Sequence, residues 1–356
     1  MKHRILALSI AVIGCQAYAQ TTVNLTGIVD LAARHVDNEE VGGSTRLVSG
    51  SNSTSRLAFT GSEELTADLA ASFHLEAGIN ATNGATTATD RFFDRRSTLS
   101  LSSKSMGELR MGRDYVPSYL TWSRFDPFSY VGVARSANLV SATPVGAIRS
   151  AFGSNANTTV RADTTLQWVL PGGLGGVEGG LLVTRPAGED ATAGQAKVKG
   201  LRLGWSGGPV AVAASLTLTH NSLTTEGRFR DAVVGGQYQL DNIKLSAAWR
   251  EFSYDQAKQA LLMMGVVATF GPHEVKASWL RSNASGQVGA TQIGGNDARQ
   301  IGLGYLYNLS KRTALYTHVA QVNNEEASRL VISDGKSGMP AGGTSRGVEV
   351  GMRHRF

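Results

Sequence analysis

Charged side chains at alternating positions are the groups in this sequence best suited to act on a solute. Arg56 and Arg96 each fall on the polar face of a segment whose other face is apolar, beside Leu57 and Leu99 respectively. Arg161 alternates in the same way with Val160, Ala162, Thr164 and Leu166. A guanidinium is permanently charged and does not act as an acid or a base near neutral pH. These arginines would therefore select ions by charge rather than catalyse a reaction.

Motifs that usually signal catalysis lack their structural context here. The run Gly204–Gly208 matches the G-x-S-x-G nucleophile elbow, but a strand pattern follows it where that motif needs a helix. His273 and Glu274 lack the later histidine of a zinc-protease motif, and His74 has no second histidine at ligand spacing. The sequence therefore predicts no catalytic residue, no metal site and no cofactor, and the protein is expected not to be an enzyme.

The composition excludes several other classes. The 356 residues include 42 glycines and are 42% hydrophobic, which argues against wholesale disorder. Lysine and arginine number 34 against 28 acidic residues, and no dense basic block is present. A nucleic-acid-binding arm is therefore not predicted.

The first residues have the form of an export signal. A basic start at Lys2 to Arg4 precedes an apolar run over residues 5–14, and Ala17-Tyr18-Ala19 fits the small-x-small cleavage rule. We predict a cleaved signal peptide over residues 1–19 and a mature chain over 20–356. A lipoprotein signal is the alternative, because Val12-Ile13-Gly14 precedes Cys15. Cleavage after Ala19 removes the only cysteine, so no disulfide is expected, and it lowers the formal charge from +6 to +4.

Period-two alternation of apolar and polar residues recurs along most of the chain, and turn-rich segments separate the alternating runs. Seven predicted connections are short: Gly61–Ala67, Ser102–Gly107, Pro171–Gly176, Ser206–Pro209, Leu240–Asn242, Gly271–His273 and Asn308–Arg312. Eight are long: His35–Thr54, Ile79–Asp90, Tyr115–Asn157, Arg185–Ala196, His220–Arg228, Ser253–Lys258, Ser282–Asp297 and Asn323–Thr344. Together they separate sixteen strands.

An even number of strands, with short turns at one end and long loops at the other, is typical of a transmembrane β-barrel. The most apolar remaining run, Ala260–Phe270, is about half the length of a spanning helix. Closing the sheet pairs every backbone group, which the bilayer requires. Sixteen strands enclose more space than side chains can fill, so water is expected inside. The fold class predicted is an all-β, sixteen-stranded antiparallel transmembrane β-barrel.

Several stretches resemble the trimeric general porins of Gram-negative outer membranes, nearest to the beta-proteobacterial type. They include VNLTGIVDLA (23–32), SRLAFTGSEEL (55–65), FFDRRSTLSLSS (92–103), GELRMGRDY (107–115), NLSKRTALY (308–316) and VGMRHRF (350–356). They extend from the mature start to the last residue, so the similarity covers essentially the whole mature chain.

The resemblance implies a homotrimer in the outer membrane whose third long loop, Tyr115–Asn157, folds into the lumen as a constriction. It also implies that Arg56, Arg96 and Arg161 form a basic ladder on the opposite wall. Glu76 and Asp126 match positions where the family has acids near the constriction. Two alternatives remain, because Glu76 would also suit a wall ion pair and Asp126, which precedes Pro127, would also suit a turn. Arg95 has the wrong parity for the lumen and is left out.

The function predicted is passive diffusion of small hydrophilic solutes and ions, with a preference for anions. The alternative within the family is a substrate-selective porin with a saturable site at the constriction. A barrel enzyme and a soluble secreted β protein are the competing classes. The first lacks a Ser/His/acid constellation, and fractionation would reveal the second. The expected partners are outer-membrane lipid, two further copies of the chain, and solutes.

Overall fold

The computed structural model describes residues 22–140 and 145–356, and sixteen long β-strands dominate it. The signal peptide expected over residues 1–19 lies outside the described residues. We number the strands in chain order: β1 Thr22–Asn38, β2 Arg56–Glu64, β3 Leu69–Asn80, β4 Arg96–Ser103, β5 Gly107–Tyr115, β6 Arg161–Val169, β7 Val177–Thr184, β8 Lys197–Gly207, β9 Val210–His220, β10 Phe229–Leu240, β11 Ile243–Tyr254, β12 Ala257–Phe270, β13 His273–Ser285, β14 Ala298–Asn308, β15 Thr313–Asn324 and β16 Thr344–Arg355.

The sheet closes because the first strand pairs on both sides. The lower half of β1 is antiparallel to β2, and its upper half is antiparallel to β16. At the seam Gly27 N donates to Phe356 O at 3.0 Å, and Phe356 N donates back to Gly27 O at 3.1 Å. The last residue of the chain therefore helps to close the barrel. The predicted sixteen-stranded antiparallel barrel is confirmed.

The outer face of the barrel is apolar, as the alternation predicts. Leu99 and Leu101 of β4 and Val350 and Met352 of β16 are among the large hydrophobic side chains that are exposed. Polar residues between them point inward. In a bilayer this exposed apolar surface faces lipid hydrocarbon, whereas in water so large a surface would be costly.

Most connections lie where the sequence predicted them, and one does not. The expected long loop at Ser253–Lys258 is wrong: Tyr254 pairs directly with Ala257, which leaves a two-residue turn. Asp255 has φ of +50° in this turn, a conformation that aspartate tolerates better than most residues. The first long loop contains an additional strand, Gly42–Ser49, which pairs with the upper part of β1.

The connection between β5 and β6 lies inside the barrel over its described residues, 116–140 and 145–160, and we call these the inward loop. It contains helix α1 (Pro117–Phe125), a short 3₁₀ helix (Ser136–Leu139) and helix α2 (Ala147–Phe152). Pro117 opens α1 at the first helical position, where a missing N–H costs nothing. Within the described residues, no helix has the length and apolarity needed to cross a membrane.

Apolar side chains hold the inward loop against one side of the barrel. Trp122, Phe125, Phe128, Leu139 and Phe152 are fully or almost fully buried against inward-facing residues of the later strands. Wall glycines make this approach possible, because a Cβ at their positions would collide with the loop. The loop residues and the glycines they press against are Pro117 on Gly200, Phe125 on Gly235, Pro127 on Gly265, Ala134 on Gly302 and Phe128 on Gly304.

Candidate functional site

A cluster of arginines lies on the wall that the inward loop leaves uncovered. Arg56, the first residue of β2, and Glu76 of β3 both point into the lumen. The Arg56 Nε lies 3.8 Å from Glu76 Oε2. Glu76 is only 12% exposed and pairs more closely with Arg95, whose Nε donates to its Oε1 at 2.5 Å. The ion-pair alternative for Glu76 is therefore the geometry observed.

Arg95 is a residue that strand parity missed. It precedes β4 and is not bound by that strand's alternation. Its backbone N donates to Glu76 O at 3.1 Å, which turns the side chain toward the lumen. The guanidinium then reaches both Glu76 and the hydroxyl of Tyr115, to which Nη2 donates at 2.9 Å. Its exclusion from the site on parity was wrong, since the rule holds only within a regular strand.

Arg161 joins the same cluster from β6. Its Nη2 donates to the Tyr115 hydroxyl at 2.9 Å, and its Nε donates to Arg95 O at 2.9 Å. The alternation used to place it is interrupted here, because the register between β5 and β6 shifts between Gly112 and Asp114. Ala162 is consequently buried, 4% exposed, instead of facing lipid. Arg161 therefore lies near Tyr115 because of the bulge and not because of regular strand alternation.

Arg96 faces the lumen one step further along the wall. Its Nη2 lies 3.3 Å from Asp114 Oδ2, and its Nη1 lies 3.4 Å from His74 Nδ1. Arg110 donates to the same Asp114 oxygen at 2.9 Å. His74 is a wall residue, and its ring lies 3.4 Å from Glu76. The wall therefore alternates guanidinium and carboxylate groups.

Asp126 lies inside the inward loop and not on its lumenal surface. Its carboxylate accepts hydrogen bonds from Phe128 N at 2.8 Å, Tyr130 N at 3.0 Å and Ser136 Oγ at 2.6 Å. The residue is 5% exposed, and burial raises the pKa of its carboxyl above the usual range. This is the turn role given above as the alternative: Asp126 organises the loop and presents no free charge to a solute.

Buried polar residues of the barrel wall anchor the inward loop along its length. Ser118 Oγ donates to Asp231 at 2.6 Å, and Asp231 forms a two-pronged ion pair with the fully buried Arg250. Gln300 accepts from Asn138 at 2.8 Å. These contacts are spread over β10 to β14, so the loop is held at a fixed distance from the opposite wall.

Glu349 of β16 is a further anchor of the inward loop. It accepts from Val133 N at 3.2 Å and from Arg34 Nε at 2.8 Å. His318 Nδ1 lies 2.8 Å from the same carboxylate. A loop backbone amide therefore shares one buried carboxylate with two wall residues.

Tyrosines of the inward loop face the arginines. The ring of Tyr119 stacks on Tyr115 with centroids 5.0 Å apart, and Tyr130 meets Tyr119 edge to face at 5.4 Å. Burial raises the pKa of Tyr119 to about 12, so its hydroxyl stays neutral at physiological pH. The loop therefore offers neutral polar and aromatic surface where the wall offers cations.

Two cavities lie on either side of the inward loop. The cavity toward the long loops is about 710 Å³ in volume and is lined by Arg34, Arg46, Arg135 and Asp334, among others. The cavity toward the short turns is about 530 Å³ in volume, and its charged lining is strongly basic. Around it stand Arg124, Lys244, Lys276, Lys311, Arg353 and Arg355, with Glu274 and the buried Asp126 as the acids.

These basic residues near the short turns were not singled out from the sequence. Lys244 alternates with the outward Ile243 and Leu245, so its inward position could be predicted from the sequence. Nothing in the order of residues indicated that strands β11, β13 and β16 would bring their cations to one cavity. Among the described residues, no group of acidic, histidine or cysteine side chains could hold a metal ion.

Comparison with known proteins agrees with this geometry. The sequence profile of the Gram-negative porins matches residues 6–327. The chain is 32% identical to outer membrane porin protein 32 of Delftia acidovorans and 26% identical to an outer membrane porin protein of Bordetella pertussis, over the full length of each. The solved structure of an anion-selective porin from Comamonas acidovorans superposes with a TM-score of 0.79 at 30% identity, covering 95% of this chain and all of that one.

A profile match over most of the chain and a full-length relative above 30% identity settle the family. The closed barrel, its lipid-facing outer surface and its charged lumen are what a channel through the outer membrane requires. The chain belongs to the Gram-negative porin family and is an outer-membrane channel for the passive diffusion of small hydrophilic solutes.

Proposed function

We propose that this channel prefers anions and that two groups of lumenal cations set the preference. The first is the arginine cluster of Arg56, Arg95, Arg96 and Arg161 beside the inward loop. The second is the basic cavity near the short turns. We propose that the first group borders the narrowest part of the path, opposite Tyr119 of the loop.

The charge balance of the second group is the observation that carries the proposal. Lys276 lies 3.1 Å from Glu274, which neutralises it in part. Lys244, Arg353 and Arg355 form no ion pair with any residue in the ranges 22–140 and 145–356. A cavity with one sign of charge and low-dielectric walls raises the local concentration of the opposite ion. Anions would thus be enriched on the periplasmic side of the loop.

The relative with a solved structure supports the same direction. That porin from Comamonas acidovorans is described as anion-selective, and it is 30% identical to this chain. Among the residues that the structure describes, Arg161 is paired only with neutral partners, the Tyr115 hydroxyl and a carbonyl oxygen. Its positive charge is therefore available to an anion in the lumen.

The experiment is a zero-current potential measured across a planar bilayer with a salt gradient. Anion preference predicts a reversal potential toward the anion equilibrium value. The paired change Lys244→Gln and Lys276→Gln should move it toward zero, because two lumenal charges are lost. Lys258→Gln removes a lysine from the lipid-facing side of β12 and is the control, which should leave the potential unchanged. A cation-directed potential in the unaltered protein would overturn the proposal.

The same bilayers distinguish a general channel from a substrate-selective one. For free diffusion, conductance should rise in proportion to solute concentration. If the tyrosines and arginines form a saturable site for an organic anion, the ion current should fall at low concentrations of that anion. We propose the general channel, and no catalytic activity, because the charged groups lie on the wall of an open path.

We also propose that the channel is a homotrimer and that residues 1–19 are removed on export. The trimer is what the family implies, and exposed aromatic surface supports it. Phe92 and Phe93 pack edge to face at 4.9 Å in the loop after β3, and Phe93 lies against Phe59 of β2. Phe92 is 55% exposed beside the apolar face of the first strands. Conductance that appears in steps of three would support trimers, and single steps would exclude them.

A further inference from the structure

The cavity toward the long loops, which we call the outer cavity, has no role in the ion preference proposed above. Its volume of about 710 Å³ is within the range of small-molecule sites. Five segments of the described chain surround it: the additional strand of the first long loop, the segment before β2, the loop after β3, the inward loop and the last long loop. A solute that enters from the side of the long loops reaches this cavity before it reaches the inward loop.

Two arginines of the outer cavity have no acidic partner among the described residues. They are Arg46, on the additional strand, and Arg135, on the inward loop. Only the Nε of each guanidinium forms a hydrogen bond there, and both bonds are to neutral side chains. Arg46 is paired in register with Arg34, whose own guanidinium binds Asp334, the acid of the cavity lining. Two guanidinium groups of this cavity are therefore available to an anion.

Neutral polar groups of the same cavity also lack partners within residues 22–140 and 145–356. The hydroxyls of Thr54 and Tyr130 form no hydrogen bond, and Asn80 uses only its side-chain oxygen, which accepts from Thr82 N at 3.1 Å. Neither the two hydroxyl oxygens nor Asn80 Nδ2 is buried. Because a hydroxyl both donates and accepts hydrogen bonds, this set suits a ligand that carries several hydroxyls of its own.

Apolar surface lies beside these polar groups. Val48 and Val131 line the outer cavity together with the ring of Tyr130. The ring carbons of a sugar carry hydrogens that can cover such surface and remove it from water. An inorganic anion would use the arginines alone and leave the apolar surface and the hydroxyls without a partner. The lining therefore favours a sugar that carries a negative charge over a simple ion.

We propose that the outer cavity binds anionic sugars, namely hexoses that carry a phosphate or a carboxylate group. Arg46 and Arg135 bind the anionic group, since guanidinium groups form charge-assisted hydrogen bonds with phosphate and carboxylate oxygens. Thr54, Asn80 and Tyr130 bind the hydroxyls of the ring. This inference rests on the proposed anion preference and deepens it, because it names a class of solute for the channel.

Binding at this site has to be weak if the channel is to conduct. A solute passes a pore only when its binding sites release it again. The outer cavity is open to water and lies above the inward loop, so small ions diffuse past it. An anionic sugar should therefore slow the ion current at about millimolar concentrations without turning the channel into one for that sugar alone.

The test measures chloride current through single channels in a planar bilayer while a sugar is added over a concentration series. Glucose 6-phosphate and glucuronate should each reduce the current to a saturating level. Neutral glucose and propionate, an anion without hydroxyls, should need at least about tenfold higher concentrations. Glucose 6-phosphate should act at a lower concentration than glucuronate, because a phosphate monoester carries more charge. The reverse order would assign the site to sugar carboxylates.

Variants locate the site within the channel. The double change Arg46→Gln and Arg135→Gln should raise the half-inhibiting sugar concentration at least about tenfold, and Tyr130→Phe, which removes only a hydroxyl, about fivefold. The matched control is the pair Lys244→Gln and Lys276→Gln, which removes two lumenal cations from the cavity near the short turns. It should move the reversal potential and leave the half-inhibiting concentration unchanged. Heat-modifiable migration on a gel verifies that all variants are folded.

The proposal is overturned if glucose or propionate inhibits at the same concentration as the anionic sugars. It is also overturned if the two double variants raise the half-inhibiting concentration equally. An anion-directed reversal potential without any inhibition by the anionic sugars would overturn this inference alone. A cation-directed potential would instead overturn the proposed function.

Discussion

The guanidinium of Arg161 lies over the ring of Tyr115, 4.4 Å from its centroid, and donates to the hydroxyl of the same tyrosine. That hydroxyl also accepts from Arg95. One neutral side chain therefore holds two cations in place on the uncovered wall. A carboxylate in the position of Tyr115 would hold them as well but would cancel one charge. The arrangement keeps arginines ordered while leaving positive charge facing the lumen.

Neutralising Arg161 should reduce anion preference. We expect Arg161→Gln to lower the anion-to-cation permeability ratio about fivefold, because a charge within a few ångströms of a passing ion contributes roughly 1 kcal/mol in water. Arg161→Lys keeps the charge and should retain most of the ratio. Arg346 of β16 lies on the outer face, so Arg346→Gln removes the same formal charge outside the lumen. An equal shift from Arg346→Gln would show that overall charge, not position, matters.

Filling the space beside the inward loop should displace it. A Cβ on Gly235 would meet Phe125 of α1, whereas one on the next residue, Gly236, would point outward with no atom nearer than 3.4 Å. We expect Gly235→Leu to cost about 1–3 kcal/mol of stability through overpacking and to lower single-channel conductance. Gly236→Leu places the same side chain in lipid and should change neither quantity. Comparable losses in both variants would contradict this account of the loop.

The buried carboxyl of Asp126 should give the protein a distinctive pH dependence. Burial raises its pKa in the folded state, so the folded protein holds this proton more tightly than the unfolded chain. Its contribution to stability is therefore present below the ordinary aspartate pKa and falls as pH rises toward the raised value. Asp126→Asn should remove that fall. Urea unfolding of the two proteins, measured at pH values below and above the ordinary aspartate pKa, tests this difference.

Asp90 provides a control of opposite sign for the pH experiment. It is exposed in the loop after β3, and a hydrogen bond from Arg91 lowers the pKa of its carboxyl. A lowered pKa gives a contribution that is present above the ordinary value and is lost as pH falls. Asp90→Asn should thus leave the Asp126 signal intact. If Asp126→Asn and Asp90→Asn change the pH profile in the same direction, the burial argument fails.

Removing Glu349 should loosen the tip of the inward loop. Glu349→Leu takes away the acceptor for Val133 N and leaves Arg34 with Asp334 as its remaining carboxylate, at 2.5 Å. Breaking a buried ion pair in this way typically costs about 3–5 kcal/mol. We expect a lower unfolding midpoint together with more open-channel current noise. If the variant has the same current noise and the same unfolding midpoint as the unaltered protein, Val133 is held by packing alone.

Glu325 provides the matched control for that variant. It forms an exposed pair with Arg299 at 2.6 Å outside the lumen. Exposed pairs contribute about 1 kcal/mol or less. Glu325→Leu should therefore leave both the unfolding midpoint and the current noise close to those of the unaltered protein.

The number of strands and the direction of each face were readable from the sequence. Leu99 and Leu101 are exposed on the outer face, and Arg96 of the same strand faces the lumen, as period two requires. The rule is reliable because it is local: successive side chains of a strand point to opposite sides whatever the neighbouring strand is. It failed where the backbone leaves that period, at Arg95 before β4 and at the bulge beside Arg161 of β6.

The lengths of the turns were harder to predict from the sequence. Ser253 to Lys258 is polar and was expected to be a loop, yet pairing continues to Tyr254 and Ala257. Polar residues near a rim are suited equally to a loop and to the end of a strand, so composition does not distinguish them. The register of β11 against β12 decides, and register is a property of two strands together.

The sequence by itself determined the class of the protein: a barrel of alternating strands with an apolar outside and a charged inside. Only the tertiary structure decided what each charge does. The sequence did not distinguish Asp126 and Asp231 from other acidic residues. In the structure both carboxylates are buried and accept hydrogen bonds from the inward loop. Lys244 and Arg353 share a basic cavity although they are more than a hundred positions apart. Alternation determines on which side of the barrel wall a side chain lies. The path of a long loop depends instead on the space beside wall glycines and on hydrogen-bond partners from distant strands. These are brought together only when the barrel closes.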